Sequence, residues 1–94
     1  MLFSVFTLDN ADAAEKRKAV HSAHVAHLKN AKNCGVTITV GGPLVSDDGL
    51  SSIGSLMVVE AADRARAEKF NYADPFHQNG VWGKVEIRRF DRKE

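Results

Sequence analysis

The 94-residue chain predicts an α+β fold, a four-stranded antiparallel sheet with two helices on one face. Two observations predict it. The first is the order of the segments, because stretches rich in β-formers and stretches of helical character follow one another as βαββαβ. With right-handed crossovers this order folds most simply into the ferredoxin-like plait. The second is continuity: no linker, internal repeat or low-complexity tract divides residues 1–94, which we assign to a single domain.

The first strand leads directly into the first helix. Leu2–Leu8 is rich in β-formers, and Asp12–Asn33 is typical of one long helix. Asp12 and Glu15 have the spacing of a capping box, in which the first side chain accepts a backbone hydrogen bond and the second reaches back. Gly35 follows at a position where a helix commonly ends in a left-handed residue.

Two further strands are expected in the middle of the chain. Val36–Val40 alternates apolar and polar residues, as a half-buried strand does. Gly41-Gly42-Pro43 is predicted to break this strand, and the polar stretch Ser46–Ser52 is predicted to be a loop with a turn at Asp47-Asp48-Gly49. Gly54–Val59 then predicts strand three.

The second helix is shorter and leads to strand four. The alanine-rich segment Ala61–Asn71 predicts the helix, and Asp74-Pro75 closes it because a residue before proline avoids the α region. Val81–Phe90 alternates again and carries apolar residues on both faces. With both helices on one face of the sheet, the other face is left bare. We therefore expect a second copy of the chain to cover it, in a homodimer or higher homo-oligomer.

The composition limits the class of partner. Thirteen basic and twelve acidic side chains leave a net charge of +1, which disfavours nucleic acid. The single cysteine, Cys34, cannot form an intrachain disulfide, and the apolar run Leu2–Leu8 is too short for a membrane span or a signal peptide. The expectation is a cytoplasmic protein that binds a small molecule and not a membrane.

One histidine occupies the middle of an apolar stripe on helix one. At about 100° per residue, Val20, Leu28 and Ala31 form this stripe, and His24 stands where a leucine would be expected. An imidazole can both take and give a proton near neutral pH, so a shielded histidine is a candidate acid-base group. The alternative is a core histidine that is hydrogen-bonded to a backbone carbonyl.

The predicted topology places several turn residues at one edge of the sheet. The end of strand two, the start of strand three and the end of helix two meet there, which brings together Gly41-Gly42-Pro43, Gly54-Ser55 and Asp74-Pro75. His24 is twelve residues from the helix cap, roughly 18 Å along the axis. A contact between His24 and Asp74 is therefore expected only if helix one starts well above the sheet, or if one of the pair comes from a partner chain.

These motifs occur in an order that resembles a known family. Ala23-His24-Val25-Ala26-His27-Leu28 lies in helix one, Gly42-Pro43-Leu44 follows strand two, and Gly54-Ser55 opens strand three. Asp74-Pro75-Phe76 and then Gly80-Val81 precede strand four. In this order the chain resembles the YciI family, also called YCII-related proteins, over nearly its whole length.

The resemblance implies a ferredoxin-like subunit that pairs into a dimeric α/β barrel. It also implies that His24 and Asp74 form an acid-base pair, and that Gly42, Pro43 and Ser55 shape the pocket. Relatives in aromatic-compound breakdown are associated with elimination of halide from chlorinated hydroxyquinols, and muconolactone isomerases share the fold. The function hypothesis is a lyase or isomerase that couples proton transfer to elimination or isomerisation. The alternative is a non-catalytic ligand-binding or accessory module.

Three further positions are candidates for substrate contact. Phe76 and Trp82 are expected to line the pocket, with ordinary core packing as the alternative. The predicted turn at Gly41-Gly42 is expected to bring backbone N–H groups close to a developing oxyanion.

A metal site competes with acid-base chemistry because the chain has four histidines. His21, His24 and His27 have i, i+3, i+6 spacing, and His77 follows the Asp-Pro-Phe motif. His21 and His27 lie on opposite flanks of His24, so three imidazoles of one helix cannot converge on one ion. We therefore expect no metal, and proton transfer by a His-Asp pair needs no other cofactor.

Overall fold

The computed structural model describes residues 1–94 and contains four strands, three helices and one short 3₁₀ helix. The elements are β1 Leu2–Asp9, α1 Ala13–Lys29, the 3₁₀ helix Ala31–Cys34, β2 Val36–Val45, β3 Ser52–Ala61, α2 Arg64–Tyr72, α3 Pro75–Gln78 and β4 Trp82–Phe90. The strands lie in the order β2-β3-β1-β4, and every neighbouring pair is antiparallel, which confirms the predicted plait. None of the helices is both long enough and apolar enough to cross a membrane.

The core lies between the sheet and the helices. Alternate residues of β1 face it, and the burial of Phe3, Val5 and Thr7 follows this period of two. Met57 and Val59 of β3 pair with β1 in the same register. The helices contribute Ala67, Phe70 and Phe76. Thr7 is therefore a polar residue at one of the β1 positions that face the apolar core.

The opposite face of the sheet carries no helix. Phe6 pairs with Leu56 across β1 and β3, and Val40 pairs with Val58 across β2 and β3. Directly paired residues point to the same face of a sheet. Leu56 is 39% exposed and Val40 is 61% exposed. We call this apolar surface of Phe6, Val40, Leu56 and Val58 the open face.

Helix α1 begins and ends differently from the prediction. Asp12 has a left-handed backbone, with φ 62°, and its side chain caps no backbone N–H. The capping-box prediction is wrong because an N-cap side chain reaches the first turn from an extended backbone. Glu15 pairs instead with Lys18 at 3.7 Å. The helix ends at Lys29 and the 3₁₀ helix follows, whereas Gly35, with φ 75°, confirms the predicted left-handed cap.

Strand β2 continues through the predicted break. Gly41-Gly42-Pro43 pairs with residues 55–57 of β3, so this segment is a strand and not a turn. Pro43 has no N–H to donate, and it is tolerated because β2 is an edge strand. The partner strand β3 is correspondingly longer than predicted, from Ser52 to Ala61.

The loop between β2 and β3 contains the predicted turn. Asp48 accepts hydrogen bonds from the hydroxyl of Ser46 at 2.6 Å and from the backbone N–H of Leu50 at 2.9 Å. Both hydrogen bonds favour the charged carboxylate, so they lower the pKa of Asp48 below its usual value. Asp48 therefore stabilises the turn in this loop.

The length of α2 decides where Asp74 lies. Because β3 runs on to Ala61, the helix begins only at Arg64, where Asp63 caps it by accepting the N–H of Arg66 at 2.9 Å. Nine residues from Arg64 to Tyr72 make a helix about 13.5 Å long. The end of α2 lies beside the C-terminal half of α1.

The segment 70–80 then runs along α1 in the opposite direction. His27 contacts the carbonyl of Phe70 at 2.8 Å, and three residues earlier on α1, His24 contacts Asp74 at 2.7 Å. Phe76, two residues after Asp74, lines one cavity with Gly42, Pro43 and Ser55, so the start of α3 lies near these turn residues as predicted. The His24–Asp74 contact forms within one chain and needs no residue from a partner.

Candidate active site

A cavity of about 690 Å³ lies between α1 and the strands β2 and β3. This volume is within the range of small-molecule sites. Gly41 lies in register with Met57 on the cavity side of β2, where the side chains of Met57 and Ile38 pack closely against it. The α1 wall consists of Arg17, Lys18, His21, His24, Val25 and Leu28. The opposite wall consists of Ile38, Gly41, Gly42, Pro43, Ser52, Ser55 and Met57, and Phe76 of α3 completes the lining.

His24 presents one ring nitrogen to Asp74 and keeps the other free. Nδ1 lies 2.7 Å from one carboxylate oxygen and 2.9 Å from the other. A carboxylate only accepts hydrogen bonds, so in the neutral imidazole Nδ1 carries the proton and Nε2 keeps its lone pair. Nε2 has no hydrogen-bond partner in the chain, and the side chain is 13% exposed where it lines the cavity.

Asp74 is fixed by the start of α3. It is the N-cap residue, and its Oδ1 accepts the backbone N–H of Phe76 at 2.8 Å. Pro75 follows at the first helical position, where a missing N–H is not needed. The carboxylate is 1% exposed, and such burial is tolerated because it is paired and hydrogen-bonded. The Asp-Pro-Phe motif therefore holds a buried carboxylate against His24.

Two aromatic rings orient the imidazole of His24. Phe76 stacks on it with ring centroids 3.8 Å apart and planes 4° from parallel. Trp82 meets both rings edge-on, at 6.3 Å from His24 and 6.0 Å from Phe76. Phe76 lines the cavity, whereas Trp82 is buried and does not. Of the two predicted pocket aromatics, one is therefore at the cavity and the other is core packing that supports it.

Ser55 lines the strand wall beside a buried threonine. Its hydroxyl lies 2.9 Å from that of Thr7, and Oγ1 of Thr7 accepts the backbone N–H of Ser55 at 3.0 Å. Thr7 was not predicted as a site residue. Its signal in the sequence is a polar residue in the buried register of β1, after Phe3 and Val5, since buried polar groups require partners.

Arg17 is a second site residue that the sequence reasoning missed. Its side chain is 15% exposed and lines the cavity. Nε and Nη2 donate to the two oxygens of Asp9 at 2.6 and 3.0 Å, and Nη2 also donates to the carbonyl of Gly54 at 2.9 Å. The guanidinium carbon lies 4.9 Å over the ring of Phe76. Arg17 precedes His24 by seven residues, which is two helical turns on one face, and that spacing was the available signal.

The remaining histidines do not gather at one point. His21 lies on the cavity wall, Nε2 of His27 contacts the carbonyl of Phe70 at 2.8 Å, and His77 packs on Tyr72 with ring centroids 4.9 Å apart. No group of three or more His, Cys, Asp or Glu side chains is placed to hold a metal ion.

The arrangement can move a proton to and from a molecule in the cavity. Nε2 of His24 is a base on the cavity wall, and Asp74 fixes its tautomer and stabilises the imidazolium that forms on proton uptake. Four of the other predicted residues line the same cavity: Gly42, Pro43, Ser55 and Phe76. The predicted oxyanion-binding turn at Gly41-Gly42 is instead part of the β2 ladder.

Comparison with known proteins gives one family and two informative structures. The model of the YCII-related domain matches residues 1–91. No curated protein matches the chain. The fold is similar to that of 5-chloro-2-hydroxyhydroquinone dehydrochlorinase (TftG) from Burkholderia phenoliruptrix AC1100, which was solved in complex with 2,5-dihydroxybenzoquinone. The two sequences are 27% identical, the match covers 97% of this chain and 94% of that chain, and the TM-score is 0.84. Rv0793 from Mycobacterium tuberculosis is 14% identical over 99% of this chain and 97% of its own, with a TM-score of 0.50, and shows the fold alone.

Proposed function

The chain belongs to the YCII-related domain family, and we propose that it is a lyase or isomerase in which His24 and Asp74 act as an acid-base pair. The substrate is a hydroxylated aromatic compound, including chlorinated ones, or a lactone. The observation that carries the proposal is the free Nε2 of His24 on the wall of the cavity, with Nδ1 hydrogen-bonded to a buried carboxylate. A positioned base of this kind is what general acid-base catalysis requires.

The proposed reaction balances without a redox partner. In an elimination from a hydroxylated ring, Nε2 of His24 first takes a proton from one hydroxyl group and returns it to the carbon that bears the halide, which makes that carbon tetrahedral and the oxygen a carbonyl. Nε2 then takes a proton from a second hydroxyl group. The electron pair of that O–H bond forms a second carbonyl π bond, and the displaced ring π electrons form a new C=C bond as the halide leaves with the electron pair of its bond to carbon. In an isomerisation, the protonated imidazole returns the proton to a different carbon of the same molecule. Either reaction uses the base, its carboxylate partner and a shielded cavity.

The substrate class is supported by the comparison with the dehydrochlorinase. That enzyme binds 2,5-dihydroxybenzoquinone, and the similarity to it extends over 97% of this chain. A shared fold alone does not assign a reaction. The proposal therefore depends on the site itself, where His24 shares the cavity wall with the apolar side chains of Val25, Leu28 and Met57.

A ligand-binding module is the second candidate, and one observation favours it. His24 stacks closely on Phe76 and contacts Asp74, and a rigid imidazole of this kind can also hydrogen-bond a ligand without transferring a proton. Such a module would show saturable binding and no product.

A substrate screen separates the two candidates. Hydroxylated and chlorinated aromatic compounds and their lactones are incubated with the protein, and products are detected by mass spectrometry and released chloride by ion chromatography. We expect turnover by the wild-type protein and a loss of about 10² to 10⁴ in rate in His24→Gln, which keeps the size of the side chain and removes its base.

The matched control is His27→Gln, which removes an imidazole one turn away on the same helix and outside the cavity. Its rate should remain close to that of the wild type. Wild-type rates in His24→Gln, or binding of these compounds without any product, would contradict the enzymatic proposal.

A further inference from the structure

Arg17 has hydrogen-bonding capacity that the chain does not use. A guanidinium has five N–H donors. Three of them are engaged by Asp9 and by the carbonyl of Gly54. The two donors on Nη1 have no partner in the chain, and Nη1 is not a buried atom. Because the side chain lines the cavity and its other donors are fixed, Nη1 is available to a molecule that occupies the cavity.

Arg17 and His24 lie on either side of Phe76. Seven residues of helix separate them, which is about 10.5 Å along the axis. Phe76 stacks on His24 at 3.8 Å, and its ring lies 4.9 Å from the guanidinium carbon of Arg17. A planar molecule on this wall would reach the base at one end and the guanidinium at the other.

The charged side chains that line the cavity are all basic or imidazole groups. Arg17, Lys18, His21 and His24 are lining residues, and no aspartate or glutamate is. The carboxylates of Asp9 and Asp74 are 7% and 1% exposed, on the far side of their partners. An anion that enters the cavity therefore meets N–H donors and no carboxylate.

We propose that Arg17 binds an anionic oxygen of the substrate, a phenolate, enolate or carboxylate, and so selects anionic substrates for the reaction at His24. This inference rests on the proposed function and deepens it, because it names the charge of the substrate. Nη1 donates to the oxygen, and hydrogen bonds between charged partners are roughly twice as strong as neutral ones. The same contact orients the ring so that its other side faces Nε2 of His24.

A purely structural role for Arg17 predicts different behaviour. In that role the side chain only joins α1 to β1 through Asp9, using Nε and Nη2. Its removal would then lower the stability of the protein and leave the preference for anionic over neutral ligands unchanged.

Calorimetry with two probes of similar shape tests the proposal. One is 2,5-dihydroxybenzoquinone, whose acidic hydroxyl groups are ionised at neutral pH, and the other is its neutral dimethyl ether. We expect the wild-type protein to bind the anion more tightly, by about tenfold or more. Arg17→Gln should remove this preference, whereas Lys16→Gln should keep it, because Lys16 is an exposed residue of the same helix that does not line the cavity and its charge is screened.

A second variant guards against misfolding. Arg17→Gln leaves the buried carboxylate of Asp9 without a partner, which is destabilising. The double variant Asp9→Asn/Arg17→Gln removes both charges together, and its folding is checked by circular dichroism. Loss of the preference for the anion in the folded double variant supports the proposal.

Two results would overturn the inference: an unchanged preference in the folded Arg17 variants, or an equal loss in Lys16→Gln, which would indicate a general positive field. Its failure is distinguishable from failure of the proposed function. If no compound is turned over but the preference depends on Arg17, the inference stands and the enzymatic proposal fails. If turnover depends on His24 and both binding and KM are indifferent to Arg17, the reverse holds.

Discussion

The carboxylate of Asp74 makes two contacts, and they respond differently to substitution. Its Oδ1 accepts the backbone N–H of Phe76, and both oxygens accept from Nδ1 of His24. Asparagine caps helices as well as aspartate does, so Asp74→Asn should leave α3 in place. The amide group, however, donates towards Nδ1, which moves the ring proton to Nε2 and removes the base. We expect kcat to fall by about 10² to 10⁴ while the melting temperature stays close to that of the wild type.

Nitrogen NMR of His24 reports the tautomer directly. The wild-type ring should carry its proton on Nδ1, and the Asp74→Asn ring should carry it on Nε2. Full activity in the variant, or a variant that does not fold, would contradict this account of Asp74.

Single residues of the site differed in how far the sequence could predict them. His24 was identified because an imidazole interrupts an apolar stripe, whereas Asp74 was identified only through the resemblance of the Asp-Pro-Phe motif to that of the YCII-related family. Arg17 and Thr7 were not, because a lone arginine on a helix is usually solvated and a threonine is common in strands. Their role depends on which strands lie opposite, which is a tertiary property.

At the scale of elements, the close approach of β1 and β3 at Gly54 has a measurable consequence. A Cβ atom at Gly54 would collide with the carbonyl oxygen of Thr7 on the neighbouring strand. Gly54→Ala should therefore lower the free energy of unfolding by about 1–3 kcal/mol, the usual cost of overpacking. Urea unfolding followed by circular dichroism, at one fixed protein concentration, measures this change.

Gly42→Ala is the matched control for that substitution. It adds the same methyl group to a strand at a position where no other atom lies within 4 Å. Its free energy of unfolding should stay within about 0.5 kcal/mol of the wild type. Equal destabilisation by both substitutions would mean that strand propensity, and not the contact with Thr7, sets the cost.

The order of elements could be predicted from the sequence, but their ends depended on contacts between elements. Gly41-Gly42-Pro43 has the composition of a turn, yet pairing with β3 keeps it in the sheet. Extension of β3 to Ala61 then delays α2, whose predicted start at that residue was wrong. Local patterns carry no information on such pairings, so the sequence left open whether His24 and Asp74 meet within one chain or across a dimer. The structure shows the contact within one chain.

At the scale of the whole molecule, the open face favours assembly with a second copy. Phe6, Leu56, Val40 and Val58 form an apolar surface that the helices do not cover, and one short chain buries a small fraction of its surface. We expect a homodimer through this face in light scattering at micromolar concentration. A monomeric wild-type protein would contradict this prediction.

A charge placed on the open face tests where the contact lies. Leu56→Arg should give a folded monomer, because an arginine at the centre of the face would have to be desolvated without a partner. Tyr72→Arg is the control, since Tyr72 is also 39% exposed but lies at the end of α2 on the opposite layer. A dimer that persists in Leu56→Arg and dissociates in Tyr72→Arg would place the interface on the helical side.

The residues on the two walls of the cavity can be substituted independently of each other during evolution. The proposed acid-base pair lies on α1 and at the start of α3, whereas the facing wall is an edge strand on which positions 41 and 43 share the register of Met57 and Ser55. A Cβ atom at Gly41 would lie 3.3 Å from the side chain of Ile38 and 3.2 Å from that of Met57. Substitutions in this strand can therefore change the size of the ring that the cavity accepts without altering the His24–Asp74 pair. Under this condition, duplicated genes can diverge in substrate and retain a common reaction.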